Sequence, residues 1–252
     1  MKKGGLIILS IIFFFLLADS VFSDEATENL QAFVVESWDN PDESPWIVRG
    51  SKFSSIIKTD SGDDVYPKMG FVNSWPSNLH RKQPEGKTLR VLGIHGKFDR
   101  RGYNYLEIIP AKKNSSGELE AREVLLPGRV KNMDIWVWGA NFDYYLEAHL
   151  MDYRGINHVL NFGSFKYTGW KNLTVHIPTY IPQSVVYAPA LKGLKLIKFV
   201  MWTRPSERVD DFYLYLDEFK VFTDMFESIW DGEDLANPQR VEELWSEAVK
   251  VN

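Results

Sequence analysis

Apolar and polar residues alternate with a period of two along most of this chain, from about residue 30 to residue 222. Between Met133 and Trp138, one face carries Met133, Ile135 and Val137, and the other carries Asp134, Trp136 and Trp138. Between Tyr145 and Met151, Leu146, Ala148 and Leu150 alternate with Glu147 and His149. Further strands are predicted at Ala32–Ser37, Trp46–Phe53, Leu89–Phe98, Tyr105–Ile109, His158–Phe162, Leu173–Ile177, Leu194–Thr203 and Phe212–Phe222. Turn chemistry separates them, at Asn40-Pro41, Ser61-Gly62-Asp63, Asn114 to Gly117, Pro127-Gly128 and Tyr153-Arg154-Gly155. About ten short strands with no helix between them predict an all-β fold, an antiparallel β-sandwich in one domain.

Two stretches depart from this rhythm. Phe212, Leu214 and Leu216 share a face, after which the apolar set moves to Phe219 and Val221. A slip of one residue turns every side chain to the other face, so a bulge is predicted near Asp217-Glu218. Beyond residue 237 the period changes to that of a helix. Asn237 suits an N-cap and Pro238 a first helical position, and Val241, Leu244, Trp245 and Ala248 follow on one face. Glu242, Glu243, Glu247 and Lys250 occupy the other face. A helix of about a dozen residues is marginal alone in water, so this stripe calls for cover, from its own sandwich or from a neighbouring subunit. Asp224 and Glu227 have capping-box spacing, which predicts a short helical turn over Asp224–Trp230.

The first 23 residues read as a secretory signal peptide. Lys2 and Lys3 precede the apolar run Leu6–Leu17, and small residues lead to acidic Asp24 and Glu25. That run is 12 residues long, against the roughly 20 that a membrane-spanning helix needs. The expected division is therefore 1–23 signal peptide, 24–224 β-sandwich and 225–252 a C-terminal helical extension.

Removing residues 1–23 takes two Lys and one Asp, so the charge balance moves from 29 − 34 = −5 to 27 − 33 = −6. An acidic chain is a poor partner for nucleic acid or an anionic membrane. There is no Cys, and nine Trp with eleven Tyr supply enough core without disulfides. The chain carries few patterns that point to chemistry. There is no Gly-x-Ser-x-Gly elbow, no thiol nucleophile and no phosphate-binding Gly pattern; Gly93-Ile-His-Gly96 reads as a turn or a weakened strand. His80, His95, His149, His158 and His176 are scattered without metal-ligand spacing. Asp60-Ser-Gly-Asp-Asp64 lacks the spacing and closing Glu of a calcium loop and reads as a solvated turn. No catalytic residue, metal or cofactor is expected. Asp217-Glu218 attracts attention because a bulge could turn a carboxylate inward, to cap a backbone group. Exposed Trp and Tyr on a sandwich suit either protein interfaces or stacking on sugar rings.

Several phrases together resemble one family. They include Trp38-Asp-Asn-Pro41 with Trp46 to Ser51, Phe98-Asp-Arg-Arg-Gly-Tyr-Asn104, Ile135-Trp-Val-Trp-Gly139 and Leu150-Met-Asp-Tyr-Arg-Gly155. Gly169-Trp-Lys-Asn-Leu173, Leu196-Ile-Lys-Phe-Val200 and Tyr215-Leu-Asp-Glu-Phe219 complete the set. In their order and spacing the chain resembles the FlaA family, outer-layer or sheath proteins of spirochaete periplasmic flagella, from about residue 32 to 224. The resemblance implies a jelly-roll sandwich of the galactose-binding type. It also implies a periplasmic protein that coats a flagellin core and influences filament shape, stiffness and motility. The implied partners are flagellin core proteins and other sheath proteins, possible paralogues included. Interface candidates in this chain are Trp136 and Trp138 on one strand, and Val241, Leu244 and Trp245 on the C-terminal helix. An envelope carbohydrate-binding module of the same fold is the alternative.

Overall fold

A computed structural model describes residues 29–184, 192–225 and 237–249. The expected signal peptide, and the expected turn beyond Met225, lie outside the described residues. Among the described residues there are fifteen strands and one helix. One sheet has the order β13 (Thr168–His176), β10 (Arg129–Ala140), β15 (Phe212–Asp224), β6 (Val91–Gly96), β5 (Lys68–Val72), with β1 (Leu30–Glu36) also paired to β15. The second has the order β12 (Asn157–Ser164), β11 (Tyr145–Met151), β14 (Lys195–Trp202), β7 (Tyr105–Lys113), β2 (Trp46–Gly50). Short β8 (Leu119–Ala121) pairs with β7, and β9 (Val124–Leu125) with β14. β3 (Ile56–Thr59) and β4 (Gly62–Val65) form a separate hairpin. Successive strands repeatedly cross between the sheets and all pairings are antiparallel, which makes a jelly-roll β-sandwich.

Alternation places the core. Met133, Ile135 and Val137 of β10 face Leu146, Ala148 and Leu150 of β11 across the sandwich, with Phe199, Leu214 and Phe219 between them in one buried cluster. Close approach is also encoded in glycine. A Cβ on Gly96 would lie 2.1 Å from the Phe212 ring, so the ring packs flat on bare backbone. Gly93 and Gly96 belong to a full strand, β6, and not to a turn.

The expected bulge is present. Asp134 pairs with Lys220 and Trp136 with Asp217, so β15 carries one extra residue there, and Glu218 has φ 45°. The extra residue resets the alternation, so Phe212, Leu214 and Leu216 and then Phe219 and Val221 all point inward. A second irregularity lies in β10, where Val130 pairs with Thr223 but Asn132 with Phe222.

The C-terminal helix, α1 (Pro238–Val249), forms as expected. Asn237 Oδ1 accepts from the backbone N–H groups of Gln239 and Arg240, at 3.1 and 3.4 Å.

Candidate functional site

The outer face of the first sheet is organised by strand register. One row across it runs Trp170, Trp138, Tyr215, Gly93 and Gly70, on β13, β10, β15, β6 and β5. Trp138 meets Tyr215 edge-on at 5.5 Å, and Tyr215 runs parallel to Tyr213 at 6.4 Å. Tyr213 in turn stacks on His95 at 4.2 Å, and His95 contacts Asp211 at 2.6 Å. The missing side chain at Gly93 leaves room for the Tyr215 ring, which would lie 3.2 Å from a Cβ there. The result is an aromatic surface four strands wide.

The next row is Asn172, Trp136 and Asp217. Trp136 Nε1 and Asn172 Oδ1 are buried without hydrogen-bond partners, while Asn172 Nδ2 donates to Asp134 at 2.8 Å. Asp217 is only 4% exposed, and its Oδ1 accepts from the Glu218 backbone N–H at 2.9 Å. The Asp217 carboxyl group does cap a backbone N–H, as its place in the bulge led us to expect. Burial first, and then the neighbouring Glu218 and Asp39 charges, push the Asp217 pKa up to about 8. Burial raises Glu218 as well.

The second sheet carries a different outer surface. Tyr145, Trp202 and Tyr105 stand side by side on β11, β14 and β7. The row beside them is Glu147, Val200, Glu107 and Arg49. Trp202 Nε1 donates to Glu147 Oε2 at 2.8 Å, Lys198 Nζ donates to Glu107, and Arg204 lies 5.0 Å over the Tyr145 ring. Burial lowers the His149 pKa, against the opposing pull of Glu147, whose Oε2 lies 3.5 Å from Nε2.

The C-terminal stripe is not covered by the sandwich. Trp245 is 70% exposed, and Val241 and Leu244 are half-buried. Among the described residues no group of His, Asp and Glu is placed to hold a metal ion, and no helix is long and apolar enough to cross a membrane. A cavity of about 260 Å³ opens at the end of the first sheet, beside Arg129, Lys131 and His176. The Gln183 amide on its wall is used structurally, bonding both the N–H and the C=O of Val130 at 2.8 Å.

Residues 52–229 match the family described as flagellar filament outer layer protein Flaa, which is more than half of the chain. The chain belongs to this family. A putative flagellar filament outer layer-like protein of Brachyspira hyodysenteriae is 26% identical over 144 residues, 57% of this chain and 62% of that protein. The chain thus spans less than two thirds of that relative's length. TmCBM61, solved in complex with β-1,4-galactotriose, superposes with a TM-score of 0.36 at 17% identity, covering 74% of this chain and 94% of its own. The family 11 carbohydrate-binding module of the cellulase Lic26A-Cel5E of Clostridium thermocellum gives 0.35 at 9% identity, covering 71% and 87%. The architecture above rests on this chain's own strand order.

In this outer-layer family member, the matched range contains both aromatic faces and stops short of α1, which begins at Pro238. Trp136 and Trp138 fall together on the first face, as their shared strand parity requires. Val241, Leu244 and Trp245 form a separate surface on α1. The ring row Tyr145, Trp202, Tyr105 escaped sequence reading, because its members lie on three strands that adjoin only in space. The one available signal was that each residue ends or begins an alternating run.

Proposed function

We propose that this protein is a structural subunit of the flagellar filament sheath, exported to the periplasm, where it coats the flagellin core and influences filament shape, stiffness and motility. The family match over residues 52–229, which takes in nearly the whole sandwich, carries this reading. The outer face of the first sheet supports it. A broad surface of Trp138, Trp170, Tyr213 and Tyr215 supplies the rigid aromatic anchors that protein interfaces favour. The helix stripe of exposed Trp245 with half-buried Val241 and Leu244 supplies a second contact, of the helix-in-groove kind. The reading is non-catalytic. It expects the protein to co-purify with flagellar filaments and its deletion to change filament curvature or swimming; absence from purified filaments overturns it.

Trp138→Ala and Trp245→Ala are expected to lower the fraction of protein that sediments with filaments. Each change should alter the unfolding free energy by no more than about 1 kcal/mol, since neither side chain lies in the core. Sedimentation of filaments from cells expressing each variant, with denaturant unfolding of the purified variants alongside, checks this.

A further inference from the structure

We infer that the outer face of the second sheet is a binding site for a neutral saccharide, with a sugar ring stacked on Trp202 and hydroxyls bonded by Glu107 and Glu147. The face is amphipathic in the way a sugar is. Tyr145, Trp202 and Tyr105 form an apolar row in register across three adjacent strands, which is about 10 Å of ring surface at ordinary strand spacing. The parallel row places Glu147 and Glu107 on either side of Val200, with Arg49 beyond. A pyranose presents the same pair of surfaces, a C–H face and a rim of hydroxyls.

The polar groups are held in place. Glu107, Glu147, His149 and Lys198 have side chains only 18–28% exposed, on a sheet face where charged side chains would ordinarily reach into water. Trp202 is tethered to Glu147 through its indole N–H, and the Tyr105 ring packs tilted against it at 5.2 Å, so the half-buried indole is fixed in place. The ordering cost that a ligand would otherwise impose is already met in folding. His149 Nε2 is buried near Glu147 without a hydrogen bond, a polar atom that the protein alone leaves unsatisfied.

Charge selects the ligand class. Glu107 and Glu147 balance Lys198 and Arg49, while Arg204 is paired to Asp143 at 3.2 Å. A surface with no net charge gives no advantage to a polyanion or a polycation. A protein partner is disfavoured because the centres of protein interfaces are depleted in charged residues, and sealing this network from water would cost more than the rings return. A saccharide replaces water at each carboxylate with a hydroxyl and leaves the pairs intact.

Isothermal titration calorimetry of the purified protein with cellotetraose, β-1,4-galactotriose, mannotriose and N-acetylchitotriose tests the inference. Binding to at least one is expected, weakened about tenfold or more by Trp202→Ala and by Glu107→Gln, and unchanged by Trp138→Ala. If Trp202→Ala fails to fold, Tyr105→Ala and Glu107→Gln carry the same test. No heat from any of the four at about 10 mM sugar overturns the inference, as does binding that survives these substitutions in folded protein. Filament association is a separate property, so failure here leaves co-purification with filaments unaffected.

Discussion

Replacing Asp217 with Asn is expected to stabilise the protein at pH 8 and to do almost nothing at pH 4. Asp217 is 4% exposed and retains its proton up to about pH 8, against 3.8 for an unperturbed aspartate. Well below pH 3.8 the carboxyl is neutral in both folded and unfolded chains, and its burial costs little. Between pH 4 and 8 the unfolded chain ionises while the folded one does not, so the folded state binds more protons and stability falls as pH rises. Above pH 8 the loss is complete. Retaining a proton to about 8 corresponds to at most about 6 kcal/mol. Asn keeps the acceptor for the Glu218 N–H and, like the protonated carboxyl it replaces, presents donor hydrogens, so a gain of about 2–4 kcal/mol at pH 8, within that upper limit, is expected. Glu218, also raised by burial, gives wild type and variant a common residual slope. Urea unfolding at pH 4, 6 and 8 measures the difference; equal separation of the two curves at pH 4 and 8 would mean that Asp217 is ionised in the folded state.

The opposite sign is expected at Glu36. This nearly buried carboxylate ends β1 and ties down the loop that follows. Its Oε1 accepts from the Trp38 backbone N–H at 2.9 Å, and its Oε2 accepts from Trp46 Nε1 at 3.1 Å and from the Ser44 hydroxyl. Ser44 Oγ also takes a bond from Arg122 Nη2 at 3.1 Å. Trp38 and Trp46, both fully buried and 5.4 Å apart, depend on this carboxylate for their orientation. Glu36→Ala orphans three donors in a region with little access for water, and a loss of about 3–5 kcal/mol is expected. Glu36→Gln retains one accepting oxygen and should lose roughly half as much. Thermal unfolding of both variants distinguishes a bonded network from simple packing, because packing alone would leave Glu36→Gln near wild type.

The sandwich was legible in the sequence wherever a strand has one buried and one outward face. β10 and β11 could be read residue by residue, and the phase change in β15 located its bulge. The strands that were missed lack that contrast. Ile56 and Ile57 on β3 are exposed on a hairpin apart from either sheet, and β5 contains Gly70 with only Met69 and Phe71 on its inner side. The first aromatic face was partly legible because Trp136 and Trp138 are two apart on one strand. Trp170 and Tyr215 joined it only through cross-strand register, which no single sequence displays. The C-terminal helix was legible from its period and cap, but its period does not say what covers the stripe. Neither the sandwich nor any other described element covers Trp245.

The paired irregularities of β10 and β15 have a consequence for descent. From Arg129 to Trp138, β10 advances nine residues, and β15 advances nine from Tyr215 to Asp224, its partners at the two ends. Each strand carries one surplus residue, at different heights, and the surpluses cancel. Loss of Glu218 alone would rotate one half of the strand pair, carrying Phe219 and Val221 out of the core or shifting every partner beyond them. A lineage can therefore shed this pair of insertions only in concert, and relatives should keep both or lack both.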